Sequence, residues 1–137
     1  VNDKIRFVLE NPKTIDVKVK PFMMGRVINV EDYLNGLKIA DDIKISANIF
    51  IEDQFIKENN GIFNIKIEDK KVKVKKVNGE PDLNLSINTF SQIVFSYIDI
   101  KEAIILNNIN KNEKNKAAID LLELLFSKKE NYINEYI

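Results

Sequence analysis

The chain has 137 residues, which is enough for one domain with a hydrophobic core of its own. Its 21 Lys and Arg residues balance 21 Asp and Glu residues, so no net charge draws it to nucleic acid or to an anionic membrane. It contains neither cysteine nor histidine, which excludes disulfides, thiolate catalysis and every Ser-His or Cys-His catalytic pair.

No apolar run approaches the roughly 18 residues of a membrane span, and the first residues lack the basic-then-apolar order of a signal peptide. Together with the balanced charge, this predicts a cytoplasmic protein with neither a membrane nor a nucleic-acid partner. The usual zinc ligands are missing and no loop has the ligand spacing of a calcium site, so no metal is expected.

The first third of the chain predicts two helices and two strands. Residues 4–10 have the apolar spacing of a helix that an Asn-Pro pair ends, and residues 15–20 alternate as a strand. Because the chain starts at Val1 rather than at an initiator Met, we interpret it as a fragment. Residues 23–30 predict an apolar strand, and the next apolar spacing predicts a helix over residues 31–37.

A meander is predicted at the centre of the fold. Four runs alternate apolar and polar residues with the period of half-buried strands: 43–51, 63–68, 72–75 and 83–87. The connections between them are short and polar, so consecutive strands are expected to pair antiparallel with one dry face. With the apolar strand before them, the predicted fold class is α+β, a five-stranded, mainly antiparallel sheet covered on one face by C-terminal helices.

Three helices are predicted beyond the meander, where the apolar period changes from two to about 3.6. Asn88 or Thr89 is expected to cap the first helix, and Asp99 with Glu102 makes a variant capping box for the second. The third helix spans residues 114–126. The apolar stripes expected to face the sheet or the core are Phe90, Ile93, Val94, Tyr97, Ala103, Ile104, Leu106, Ala118, Leu121, Leu122 and Leu125.

Two acidic pairs stand at the ends of predicted elements and could be read as cation sites. They are Asp41 with Asp42 and Glu52 with Asp53. Turns and strand ends favour these side chains, so we interpret both pairs as turn residues.

A basic stripe lies on one face of a predicted strand and consists of Lys71, Lys73 and Lys75. Such a stripe can follow the phosphates of a nucleic acid. Acidic residues flank it and no aromatic residue is interleaved for base stacking, so we interpret it as a solvated face that guards a sheet edge.

The last residues of the chain are less polar than an idle terminus. Residues 127–137 include Tyr132, Ile133, Tyr136 and Ile137, which favour burial. Burial would bring the terminal carboxylate along, and a carboxylate in a low-dielectric pocket becomes a better proton acceptor. Burial of the tail against its own domain explains these residues equally well.

The order of these features resembles the C-terminal region of Eis-type GNAT acetyltransferases, a sterol-carrier-protein-like domain. The most specific piece is the phrase from Met24 to Val30, with the pattern Met-x-Arg-hydrophobic-x-Asn/Asp-Val. The resemblance covers essentially the whole chain. Residues 1–21 are similar to the closing segment of a preceding acetyltransferase-like domain, and residues 22–137 to the sterol-carrier-protein-like domain.

The resemblance implies transfer of an acetyl group from acetyl-CoA to an amine, with the terminal carboxylate as general base in the active site of the catalytic domain. On this sequence that role falls on the α-carboxylate of Ile137, with Tyr136 as a wall of the substrate pocket. Members of the family often end in an aromatic residue, from which Ile137 departs. The implied partners are the absent N-terminal acetyltransferase domain and further copies in a homo-oligomer.

The four glycines are isolated, unlike the Gly-containing turn whose amides hold the pyrophosphate of CoA. No cofactor site is therefore expected in this chain, acetyl-CoA being the co-substrate of the full-length enzyme, and the isolated chain is predicted to be inactive. Two other functions stay open. One is a lipid-like or sterol-like ligand between sheet and helices, and the other is a purely structural role in oligomer assembly.

Overall fold

The computed structural model describes residue 11 and residues 24–40, 43–107, 109 and 113–127. In these ranges the elements are α1 (Val30–Asn35), β1 (Ile45–Glu52), β2 (Gly61–Glu68), β3 (Lys71–Val77), β4 (Leu83–Ser86), α2 (Ile87–Val94), α3 (Ile100–Leu106), a 3₁₀ turn (Glu113–Asn115) and α4 (Lys116–Leu125). No helix of the described part is long and apolar enough to cross a membrane. The predicted helix at 4–10 and strand at 15–20 lie outside the described residues.

Among the described residues the sheet has four strands, in the order β3-β2-β1-β4. The pairs β1–β2 and β2–β3 are antiparallel, as predicted. The prediction was wrong for β4, which pairs with β1 and runs parallel to it. Residues 78–82 carry the chain back to β1, where the backbone amides of Asn48 and Asp82 each donate to the other residue at 2.7 Å. The sheet is therefore mixed.

The predicted fifth strand is also wrong. Residues 24–29 belong to no strand, because their polar backbone groups bond to side chains instead of to a neighbouring strand. The amide of Val27 donates to Ser91 Oγ at 3.1 Å, and the carbonyl of Ile28 accepts from Asn59 Nδ2 at 3.2 Å. Asn29 ends this segment as the N-cap of α1, since its Oδ1 accepts from the amide of Asp32 at 3.0 Å.

The period-two alternation is confirmed, since one face of the sheet is buried along its length. Helix α4 packs on β1, α2 on β4 and β1, and α1 on β3, so the cover includes an early helix as well as the C-terminal ones. The ring of Phe126 stacks on Tyr33 and meets Phe90 edge-on, which joins α1, α2 and the end of α4. The inner side chains of the sheet are Ala47, Ile49, Ile51, Phe63, Ile65, Ile67, Val72, Val74, Leu83 and Leu85.

The helix ends follow capping chemistry, with one correction. The predicted capping box of α3 is confirmed, because Asp99 and Glu102 each accept from the backbone amide of the other. Helix α2 begins earlier than predicted, since the N-cap is Ser86, whose Oγ accepts from the amide of Thr89 at 3.1 Å. Ser86 is polar and ends a strand, so it serves both elements.

The predicted apolar stripes are confirmed over most of their length, and Phe90, Ile93, Ala103, Ile104, Ala118, Leu121 and Leu122 are buried. Two members are wrong, because Tyr97 and Leu106 are exposed. Tyr97 misses the sheet because Ser96 takes a φ of 56° and turns the chain out of α2.

Candidate functional site

The two residues predicted to serve catalysis, Ile137 and Tyr136, lie outside the described residues, as does the acidic pair Asp41-Asp42. Their roles stay predictions. A different polar centre is present among the described residues, around the second acidic pair that the sequence singles out.

Asp53 is the only charged residue that is buried in the described part of the chain, with 3% of its surface exposed. It follows the last residue of β1 and accepts hydrogen bonds through both carboxylate oxygens. Oδ1 accepts from Arg26 Nη2 at 2.6 Å and from the amides of Phe55 and Ile56 at 2.9 and 3.0 Å. Oδ2 accepts from Asn59 Nδ2 at 3.1 Å. Asp53 is a turn residue, as predicted, but its burial and its ion pair were not predicted.

These donors change the acidity of Asp53. Burial disfavours the charged carboxylate, but the amides of Ile56 and Phe55, the guanidinium of Arg26 and the amide of Asn59 together outweigh burial. The net effect holds the pKa of Asp53 well below its usual range. Asp53 is therefore an anion at neutral pH and a poor proton acceptor, which disqualifies it as a general base.

Asn59 connects the loop after β1 to the segment before α1. It is buried, and besides Asp53 it bonds to the carbonyl of Ile28 at 3.2 Å and to the amide of Val30 at 3.0 Å. Arg26 makes the second connection through its ion pair with Asp53. We call Arg26, Asp53 and Asn59 the polar lock, because they fix residues 53–60 against residues 24–30.

A third contact holds the same loop from the sheet. The ammonium of Lys76 donates to the carbonyls of Lys57 and Glu58 at 3.3 and 3.0 Å and lies 5.5 Å from the ring centre of Phe63. Gly61 leaves room for this side chain, since a Cβ at position 61 would lie 2.3 Å from Lys76 Cε. The loop between β1 and β2 is therefore held at both of its sides.

Several exposed apolar side chains belong to the two segments that the polar lock joins or lie against them. Phe55 is 83% exposed, and its ring lies 5.5 Å from the guanidinium carbon of Arg26. The ring of Phe95 lies against Gly25, so closely that a Cβ at position 25 would lie 2.6 Å from the ring. We call Met24, Ile28, Phe55 and Phe95 the Phe55 surface; all four are exposed.

The remaining charged features have ordinary structural roles. The predicted basic stripe is exposed on β3, and Lys66 and Lys73 lie 2.8 and 3.9 Å from Glu68 on the same face. The hydrogen bond and charge of Lys66 lower the pKa of the Glu68 carboxyl, with a smaller contribution from Lys73. Within the described ranges, no group of acidic residues could hold a metal ion.

Large apolar side chains of the described residues lie between sheet and helices. The rings of Phe63 and Phe90 and the side chains of Leu121 and Leu122 are fully buried there. A surface depression of about 200 Å³ lies instead between the start of α3 and the end of α4. Ligand cavities are usually larger, at about 300–1,000 Å³. Its lining is partly charged: Asp99, Ile100, Lys101, Glu123, Phe126 and Ser127.

Residues 30–134 match the profile of the sterol carrier protein domain. The chain belongs to the sterol carrier protein domain family. The helix-covered sheet described above is therefore the fold of this domain, and the polar lock joins its loop between β1 and β2 to the residues just before the matched region. A comparison with curated proteins finds no match.

Solved structures with a similar fold are larger proteins. A conserved protein of unknown function from Enterococcus faecalis, called a probable N-acyltransferase, is 21% identical with a TM-score of 0.69, over 93% of this chain and 31% of that chain. GCN5-related N-acetyltransferases from Kribbella flavida and Anabaena variabilis are 13% and 17% identical, with TM-scores of 0.64 and 0.61. The match covers 82% and 76% of this chain but 28% and 26% of theirs. This chain thus spans less than a third of the length of these proteins.

Sequence reasoning missed the polar lock because Asp53 and Asn59 come 27 and 33 positions after Arg26 in the chain. A signal was present. Arg26 is the one charged residue in the phrase from Met24 to Val30. Asp53 comes just after a predicted strand, and Asn59 and Asn60 come shortly after it in the chain. A charge in an apolar segment calls for a buried partner of opposite sign.

Proposed function

We propose that this sterol carrier protein domain is the C-terminal domain of an acetyl-CoA-dependent amine N-acetyltransferase of the Eis type. The observation that carries the proposal is the likeness over 93% of the chain to a probable N-acyltransferase of which the chain spans 31%. The phrase from Met24 to Val30 and the apolar terminus support the Eis type. In this proposal residues 1–21 close the preceding acetyltransferase-like domain.

The domain's chemical contribution is the terminal carboxylate of Ile137. An ammonium has no lone pair, so it must lose a proton before its nitrogen attacks the thioester carbonyl of acetyl-CoA. A partly desolvated carboxylate beside it takes that proton and also attracts the cationic substrate. Tyr136 lines the pocket. Acetyl-CoA binds to the preceding domain, and the full-length enzyme is a homo-oligomer.

The test separates the charge of the terminus from its side chain. In the full-length enzyme, amidation of the terminal carboxylate removes the base, and kcat/KM for an aminoglycoside-like amine or a polyamine should fall by roughly 10²–10⁴-fold. The matched control is Ile137→Phe, which keeps the carboxylate and should stay within a few-fold of the native rate. The 137-residue chain alone should not turn over acetyl-CoA.

Two results would contradict the proposal. Unchanged kcat/KM after amidation would remove the general-base role. A change of oligomeric state after deletion of Tyr136 and Ile137, with activity per subunit retained, would favour the structural role instead. Steady-state kinetics measures the first result, and size-exclusion chromatography with light scattering measures the oligomeric state in the second.

A further inference from the structure

The Phe55 surface is unusual because a strongly exposed aromatic side chain is mounted on a rigid support. Phe55 exposes 83% of its surface, while the amide of the same residue is bonded to the buried carboxylate of Asp53. The loop that carries it is fixed by the polar lock and by Lys76. Because the backbone that carries Phe55 is already held, little entropy is lost in ordering this loop on binding, which favours an interface anchor.

The charge beneath this surface is already neutralised. The guanidinium of Arg26 is paired with Asp53 at 2.6 Å, and the Phe55 ring lies next to it. A partner that covers Phe55 would therefore not have to bury an unpaired charge, which is the main obstacle to an apolar interface.

The position of the surface in the chain indicates what covers it. Met24 and Ile28 precede the region that matches the sterol carrier protein domain, which begins at residue 30. The Phe55 surface therefore includes the residues at which the described chain enters the domain. In the solved relatives the matched part is 26–31% of the chain, so most of those proteins lies outside it.

We propose that the Phe55 surface is the docking site for the acetyltransferase domain of the full-length enzyme. The inference rests on the proposed function for the identity of the partner. The polar lock holds the backbone of Phe55 in place, and the exposed Met24 and the ring of Phe95 against Gly25 add further apolar surface next to Arg26 in the chain. Asp53 and Asn59 are thus positioning residues for a domain interface.

The lack of native cysteine in this chain makes a direct test practical. Phe55→Cys places a single thiol in the proposed interface, and Ile105→Cys places one at a similarly exposed position on α3. Alkylation rates with a maleimide are measured by peptide mass spectrometry in the 137-residue chain and in the full-length enzyme. At position 55 the rate should fall at least about tenfold in the full-length enzyme, because a covered thiol reacts slowly. At position 105 it should not change.

Equal rates at position 55 in the two polypeptides would overturn the proposal. A benzophenone attached to the same thiol identifies the occupant, and the proposal requires cross-linked peptides from the acetyltransferase domain. Cross-links to a second copy of the sterol carrier protein domain would overturn it. Activity is recorded separately, so an enzyme that protects position 55 but transfers no acetyl group would refute the proposed function and leave the docking surface intact.

Discussion

At the scale of single residues, the molecule depends on how one buried charge is satisfied. Asp53 has four donors within hydrogen-bond distance, and two of them are backbone amides that belong to its own turn. Because these amides belong to the backbone of the turn, the carboxylate of Asp53 stabilises the turn in addition to pairing with Arg26. Breaking a fully buried ion pair by removing one partner costs about 3–5 kcal/mol, because the other charge is left without compensation. The Arg26 side chain is 32% exposed, which places this pair at the lower end of that range.

Asp53→Asn should lower the free energy of unfolding by about 3 kcal/mol at pH 7, since the amide places a donor among donors. The pKa of Asp53 is lower in the folded chain than its unfolded value of about 3.9. The unfolded chain therefore takes up the proton first, and the stabilisation is present above about pH 4 and is lost as the pH falls toward the folded pKa. Urea unfolding from pH 7 to 2.5 should show the native and variant curves converging.

The control for this experiment is Asp120→Asn, at an exposed carboxylate on α4. Its curve should run parallel to that of the native chain. Curves of Asp53→Asn and the native chain that stay equally far apart down to the lowest pH would contradict the role given to the ionised carboxylate.

At the scale of elements, the β2–β3 hairpin has a backbone geometry that its turn residues do not favour. Asp69 and Lys70 form a two-residue turn with φ of 53° and 59°. Such turns prefer Asn-Gly, because a Cβ makes the left-handed conformation costly. Lys70→Gly should therefore raise the free energy of unfolding by about 1 kcal/mol, measured by thermal or urea unfolding.

The adjacent residue supplies a control of opposite sign. Lys71 is the first residue of β3 and is exposed, so Lys71→Gly removes a similar side chain in extended backbone. That change should lower the free energy of unfolding by roughly 0.5–1 kcal/mol, because glycine weakens a strand. Destabilisation of both variants would contradict the prediction that the positive φ at position 70 favours glycine.

Sequence patterns were reliable for elements whose signals are local. The capping box of Asp99 and Glu102 needs only a spacing of three, and the alternation in β1, β2 and β3 needs only neighbouring residues. Residues 24–29 were misassigned because an apolar run does not reveal whether its amides meet a strand or side chains such as Asn59.

At the scale of the whole molecule, long-range pairing could not be predicted. A period of two identifies β4 as a strand, but it does not say that residues 78–82 return the chain to β1. The ion pair of Arg26 with Asp53 could not be predicted either, because the fold and not the sequence spacing brings the two residues together. The sequence does indicate which residues are apolar, and most of the apolar residues at the predicted inner positions are buried in the core.

A filled core makes a clear prediction about ligands. The native chain should take up no fatty-acyl fluorescent probe, since Phe90 and its buried neighbours occupy the space between sheet and helices. Phe90→Ala should cost about 3–5 kcal/mol and open a cavity of benzene size, so benzene should raise the melting temperature of this variant and not that of the native chain. Phe95→Ala, at an exposed ring, is the control and should show no benzene effect. Stoichiometric probe uptake by the native chain would instead establish a lipid-like ligand site.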